Sequence, residues 1–181
     1  MTAALTEIRW HARAGQGAKT ASQLLALSLL RAGKNVQAFP EYRPERRGAP
    51  LRAFTRVSDR PIRRHDTIEE PDLVVVLEPT LVHELDVAEG LDPDGLVLVN
   101  SEEVPPELDR DDLTVRCVPA SRLAAEQGSG FVNLIMVGAV AGAIGEPPLD
   151  EVQEAAVELL GKKVDPAAVR TAVAEGYEWA T

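Results

Sequence analysis

Ile8-Arg9-Trp10-His11 runs into Ala12-Arg13-Ala14-Gly15-Gln16-Gly17 and then into Ala18 to Arg31. The first four residues read as a strand and the next six as a loop. Ala18 to Arg31 reads as a helix, with Ala21, Leu24, Leu25 and Leu29 on one face and Gly33 just past its end as a cap. A strand passing through a glycine loop into a helix is the opening unit of an α/β fold. Glycine lets the backbone come close to a ligand, and the helix start offers free N–H groups with a partial positive charge. The loop Gly15-Gln16-Gly17, followed by Lys19 and Thr20, matches neither the dinucleotide fingerprint nor the spacing of a P-loop. A tight strand-to-helix turn accounts for the same residues.

The alternation continues outward. Asn35 to Phe39 is expected as a second strand and Leu51 to Val57 as a third, with Ser58-Asp59-Arg60-Pro61 as a turn. Leu73-Val74-Val75-Val76-Leu77 is a continuous apolar run, as expected of a strand covered on both faces. Leu96-Val97-Leu98-Val99-Asn100 repeats that pattern, and Leu113 to Val118 supplies another strand. Short helices are expected at Thr80 to Leu85 and at Ser121 to Glu126. These elements predict an α/β fold with three layers and a mostly parallel sheet.

The C-terminal part is expected to be helical. Phe131 to Ile144 is apolar almost all round, and Gly138, Ala139, Ala141, Gly142 and Ala143 keep one flank thin, so another backbone should approach it closely. A helix over Leu149 to Leu160 turns Leu149, Val152, Ala156 and Leu159 inward. Asp165-Pro166 caps and opens a last helix with Val169, Val173 and Tyr177 along one face. With no repeat and no low-complexity linker, residues 1–181 read as one domain.

Composition narrows the function. The chain has 181 residues and a formal net charge of −10, which argues against a nucleic-acid or membrane-surface role for the body of the protein. Aromatics are only 4%, so the core must be built from Val, Leu, Ile and Ala. Cys117 is the single cysteine, so this chain alone builds no disulfide and no cysteine-ligated zinc or iron–sulfur site. His11, His65 and His83 lack metal-ligand spacing, and no metal site is expected. Met1 to Glu7 lack the basic start and apolar run of a signal peptide. Phe131 to Ile144 is shorter than the ~20 residues needed to span a bilayer. A cytoplasmic protein is expected.

One segment departs from the acidic background. Arg43, Arg46, Arg47, Arg52, Arg56, Arg60, Arg63 and Arg64 fall close together, against only Glu45 and Asp59. Prolines stiffen the segment, and the arginine fork suits carboxylates and phosphates. A basic patch on a negative body suggests one specific anionic partner. A solvated irregular connection has the same composition.

Taken together, these segments resemble the gamma subunit of the 2-oxoacid:ferredoxin (pyruvate:ferredoxin) oxidoreductase family. The loop Ala12-Arg13-Ala14-Gly15-Gln16-Gly17 is similar to that family's GxGGQG turn. Pro40-Glu41-Tyr42-Arg43-Pro44-Glu45-Arg46-Arg47-Gly48-Ala49-Pro50-Leu51-Arg52-Ala53-Phe54 is similar to its proline- and arginine-rich second signature. Glu78-Pro79 after an apolar strand, the strand end Leu98-Val99-Asn100, Asn133 opening a glycine-dotted helix, Gly161-Lys162-Lys163 and Gly176-Tyr177 also match. The resemblance spans Ile8 to Tyr177. Ala12 and Ala14 stand where the family usually has glycine, which narrows the turn.

The resemblance implies a Rossmann-like gamma subunit of an enzyme that oxidatively decarboxylates a 2-oxoacid, pyruvate or a relative. That reaction uses coenzyme A and gives acyl-CoA, carbon dioxide and reduced ferredoxin. Thiamine diphosphate and iron–sulfur clusters are then expected on the partner alpha, beta and ferredoxin-like delta subunits. No catalytic residue is expected here, and the chain should not be active alone. Coenzyme A is the expected ligand, with Arg43, Arg46 and Arg47 as forked donors and Gly15, Gln16, Gly17, Lys19 and Thr20 at the helix start. Glu45 would orient the arginines, Gly48 would shape the segment, and Asn133 would bond the loop or the ligand. Two other readings share these features: an interface subunit that holds no ligand, and a stand-alone Rossmann-like nucleotide-binding protein. Against the last, Phe39 and Pro40 stand where an acidic ribose ligand would close the second strand.

Overall fold

The computed structural model describes residues 5–41, 48–161 and 164–180. Arg43, Glu45, Arg46, Arg47 and the pair Lys162-Lys163 lie outside the described residues.

Six strands form one sheet: β1 (Leu5–Arg13), β2 (Asn35–Pro40), β3 (Pro50–Ser58), β4 (Leu73–Val76), β5 (Leu96–Asn100) and β6 (Thr114–Val118). Their order is β2-β3-β1-β4-β5-β6. β1, β4, β5 and β6 pair in parallel, whereas β3 runs antiparallel to both β1 and β2. The sheet is mostly parallel as the alternation predicts, with β3 as the one reversed strand. That reversal lets β2 and β3 pair as a hairpin without a crossover helix.

The helices are α1 (Ala18–Arg31), α2 (Ala120–Glu126), α3 (Val132–Ile144), α4 (Leu149–Leu160) and α5 (Pro166–Ala180). All five contribute buried residues to one cluster with Ile8, Trp10, Val75 and Leu98 of the sheet. The other face of β4 and β5, Val74, Val76, Val97 and Val99, is covered by Leu81, Val82, Val87 and Leu108. Two 3-10 turns, Pro79–His83 and Pro106–Leu108, carry three of those four residues. The expected helix over Thr80 to Leu85 is therefore a single tight turn, opened by Pro79 and capped by the Glu78 carboxylate on the Thr80 N–H.

α3 is buried along most of its length and packs on α5 with almost no gap. A Cβ added to Gly138 would overlap the Val173 carbonyl oxygen, and one added to Gly176 would overlap that of Ile135. α1 buries Ala21, Leu24, Leu25 and Leu29, and Gly33, at φ +87°, follows its end. α4 turns Val152, Ala155 and Ala156 inward but leaves Leu159 exposed, because the helix contacts its neighbours on a narrower stripe than the sequence suggests. At the start of α5 the Asp165 side chain accepts from the Ala167 N–H at 3.1 Å.

Candidate functional site

β1, β4 and β5 all end on one side of the sheet, and the chain leaves β1 and β4 in opposite directions along it. α1 leads from β1 toward β2, whereas β4 leads on to β5. Between the two exits an open α/β sheet leaves a crevice. Here the crevice measures about 440 Å³ and is bounded by the turn Gly15-Gln16-Gly17 after β1, by Leu77-Glu78-Pro79 after β4, and by Asn100, Ser121 and Asn133. Clefts of this size hold small ligands or parts of larger ones.

Each wall is held by directional bonds. The Arg13 N–H donates to the Gln16 side-chain oxygen at 2.7 Å, and the Gln16 amide donates across the crevice to the Glu78 carboxylate. Glu78 also accepts from the Thr80 N–H at 3.2 Å and from its hydroxyl at 2.8 Å. Burial alone would raise the Glu78 carboxyl. The bonds from Gln16 and Thr80, with Arg13 nearby, hold it below the usual carboxylate range. On the far side the Asn100 amide donates to the Leu77 carbonyl at 2.9 Å and to the Ser121 hydroxyl at 2.8 Å, and its oxygen accepts from the Ser121 N–H at 2.9 Å.

Gly15 and Gly17 both adopt positive φ, +99° and +82°, a region that disfavours a side chain. At Gly17 there is no room either, since an added Cβ would lie 2.8 Å from Asn133 Nδ2. Asn133 therefore packs against the glycine turn. The turn forms with alanine at positions 12 and 14, because neither adopts positive φ. Gly17 caps α1 without a side-chain bond, and no acidic residue sits in the first turn. The start of α1 thus lacks the side-chain acceptor that usually satisfies such N–H groups.

The two sequence signatures meet here. The Ala14 N–H donates to the Ala49 carbonyl at 3.0 Å, and the Arg13 guanidinium donates to the Gly48 carbonyl at 3.2 Å, to the Thr80 hydroxyl at 3.3 Å and to Glu84. Of the expected site residues, Gly15, Gln16, Gly17 and Asn133 line the crevice, and Lys19 and Thr20 follow in the first turn of α1. Gly48, at φ +79°, lies at the base of the β2–β3 hairpin. Glu78, Asn100 and Ser121 were not expected in the site. Their signal was positional, since Glu78 and Asn100 sit where apolar parallel strands end.

Much of the arginine run serves the chain itself. Arg52 is forked on Glu41 at 2.6 and 3.0 Å, Arg56 bonds Glu7 at 2.6 Å, and Arg64 pairs with Asp66. The opposite charges missing within the run come from β1, from the end of β2 and from the loop after β3.

Comparison with known proteins places this arrangement. The sequence profile of the pyruvate ferredoxin/flavodoxin oxidoreductase family matches residues 7–179. The chain belongs to this family. A pyruvate/ketoisovalerate oxidoreductases common subunit gamma from Thermococcus kodakarensis is 46% identical over 159 residues, covering 85% of this chain and 86% of the relative. A pyruvate synthase subunit PorC from Thermotoga maritima is 42% identical over 179 residues, covering 95% and 93%. The crystal structure of pyruvate oxidoreductase subunit PORC from Thermotoga maritima superposes with a TM-score of 0.81 at 39% identity, covering 96% of each chain. The same fold occurs, at 21% identity and a TM-score of 0.78, in a 2-oxoglutarate:ferredoxin oxidoreductase from Magnetococcus marinus. This chain covers 97% of itself and 31% of that longer chain. Within the oxidoreductase family the chain corresponds to the gamma subunit, one part of a multi-subunit enzyme. Among the described residues no helix is long and apolar enough to cross a membrane, and no three metal-ligating side chains converge.

Proposed function

We propose that this chain, as a single gamma-type domain, holds part of coenzyme A at the crevice between β1 and β4. In this reading it presents the cofactor to alpha and beta subunits that carry thiamine diphosphate and iron–sulfur clusters, in a cytoplasmic complex completed by a ferredoxin-like delta subunit. The reaction would be the oxidative decarboxylation of pyruvate or a related 2-oxoacid with ferredoxin as acceptor. Coenzyme A, when bound, supplies the thiol that accepts the acyl group. The residues of this chain bind and orient it.

One observation carries the reading: the glycine turn and the base of the arginine hairpin are bonded together at the rim of a crevice sized for a small molecule. The fit of coenzyme A is supported by three features. The turn leaves no space for a Cβ at Gly17, the first turn of α1 lacks a side-chain cap, and Gly15, Gln16, Gly17, Lys19, Thr20 and Asn133 cluster around that start, with Gly48 tied to Arg13 of the preceding strand. Arg43, Arg46 and Arg47, with Glu45 to orient them, are proposed as the phosphate anchors, because their forks match phosphate oxygens.

The test is a tagged copy of this chain co-expressed with its neighbouring subunits. The expected result is a co-purifying complex in which Arg46→Ala with Arg47→Ala raises the KM for coenzyme A by tenfold or more and leaves assembly intact. A ligand-free interface subunit predicts the reverse: lost co-purification and an unchanged KM in whatever complex forms. Arg52 and Arg56 are paired inside the chain and carry neither reading.

A further inference from the structure

Coenzyme A is larger than the crevice, so a choice remains as to which part of it enters, and the charge of the walls decides. Among the described residues, Glu78 is the only charged side chain bounding the crevice. It is held in its ionised form by Gln16 and Thr80. Arg13 lies nearby but is paired with Glu84, so about half a positive charge at the start of α1 faces one full carboxylate, which outweighs it. A phosphate entering here would meet a net negative wall. The remaining polar groups, Asn100 and Ser121, are bonded to each other and to the Leu77 carbonyl, and the Asn133 amide lies against Gly17. Apart from the uncapped N–H groups at the start of α1, what the crevice offers a ligand is acceptor capacity: a carboxylate oxygen beside the Leu77 and Pro79 backbone, with glycine surfaces for close approach.

Resting on the coenzyme A reading above, we infer that the crevice is the subsite for an uncharged, hydrogen-bond-donating part of the cofactor. Glu78 is the residue that selects that part and keeps phosphate out. Two portions of coenzyme A have this chemistry: the amide-bearing pantetheine arm and the exocyclic amine of adenine. The phosphates then lie outside the crevice, toward the hairpin whose base Arg13 ties to the rim. Gln16 serves as a movable partner. Its amide occupies one Glu78 oxygen in the free protein and yields that acceptor when a donor arrives.

Glu78→Gln in the assembled oxidoreductase tests this. Glutamine still accepts from the Thr80 N–H, so the 3-10 turn keeps its cap. Coenzyme A and pantetheine are compared as acyl acceptors, with adenosine and inorganic pyrophosphate as inhibitors. If the arm occupies the crevice, kcat/KM falls about tenfold for both acceptors, the loss of one hydrogen bond to a charged acceptor. If adenine occupies it, only coenzyme A is affected and adenosine inhibition weakens by a similar factor. In both cases pyrophosphate inhibits the variant as well as or better than the parent. Weaker pyrophosphate inhibition in the variant, or unchanged kinetics with every probe, would overturn the inference. The Arg46→Ala, Arg47→Ala complex separates the two levels. A raised KM there with an inert Glu78→Gln sinks only the subsite, whereas no effect of either sinks the coenzyme A reading itself.

Discussion

The two faces of β1 come from one nine-residue strand and are held by opposite means. Toward the helices it turns Ile8, Trp10 and Ala12, all fully buried in a core where the Trp10 indole N–H donates to the Thr55 hydroxyl at 3.0 Å. Toward the other side it turns Glu7, Arg9, His11 and Arg13. Arg9 is almost fully buried, yet among the described residues it bonds no carboxylate. It donates to the Val87 and Glu89 carbonyls, to the Glu69 carbonyl and to His11 Nε2. Beside it Arg56 is fully buried against Glu7 and lies 5.5 Å over the Phe39 ring. The helical face is held by packing, which is cooperative and non-directional. The reverse face lacks a helix over β1 and β3, so directed bonds from arginines hold the connecting loops there. Packing can lose a methyl group and still fold. A buried charge cannot lose its partner without leaving the other one stranded.

That contrast predicts unequal losses. Arg56→Met should cost the most, about 3–5 kcal/mol, because the nearly buried Glu7 carboxylate loses its 2.6 Å partner and keeps only the longer 3.6 Å contact with the exposed Arg64. Adding Glu7→Gln should restore more than half of it in chemical denaturation. If the double variant is as unstable as the single one, the charge pair is not what holds this face. On the packed side, Gly176→Ala should cost about 1–3 kcal/mol by overpacking, since the new methyl meets the Ile135 carbonyl and α3 must move off α5. A melting temperature equal to the parent's would show that the two helices can part freely.

The third test is pH. His11 is buried beside Arg9 and Arg52, and burial first, then those two cations, lower its pKa to about 3, with Glu41 opposing. The unfolded chain binds a proton near pH 6.5, which the folded chain refuses until about pH 3. The stability this supplies is complete above pH 6.5. It is lost as pH falls toward 3, at no more than about 1.4 kcal/mol per pH unit. His11→Gln keeps an acceptor for Arg9 Nε and removes the titration, so its stability should fall less steeply across that window. Parallel curves for parent and variant would place the acid sensitivity elsewhere.

The packed face was legible in the sequence and the bonded face was not, for a physical reason. Val-rich runs, the 3.6-residue stripe of α1 and the thin flank of α3 are local patterns, and each element they specify is present. The glycine turn was legible too, since positive φ at Gly15 and Gly17 demands glycine. The arginines were read as a patch awaiting an anion because their partners lie outside the run, Glu41 and Asp66 just beyond its ends and Glu7 far away. Glu7 is 49 residues from Arg56, and the carbonyls on Arg9 are 60 to 80 residues away. The Arg56–Glu7 pair is set by topology, which places β3 beside β1, and no window of sequence contains it. Glu78 escaped for the same reason. A carboxylate after an apolar strand becomes a crevice wall only once Gln16 is brought opposite it.

The smallest effect sharpens the comparison most, because it keeps the chemistry and removes only the burial. Arg31 at the end of α1 bonds Glu151 at 2.8 Å and Glu158 at 2.9 Å, two carboxylates on α4, at distances close to that between Arg56 and Glu7. Its side chain is 37% exposed, where that of Arg56 is 0%. In water the Coulomb gain is screened, and holding three long side chains in register costs entropy. Arg31→Ala should leave the thermal melt unchanged within error, and added sodium chloride should not separate variant from parent. The same salt series on Arg56→Met should leave its deficit in place, since a buried pair is little screened. A large, salt-sensitive loss at Arg31 would mean that ion pairs hold the helical layer as they hold the reverse face, and the division between packed and bonded faces of β1 would fail.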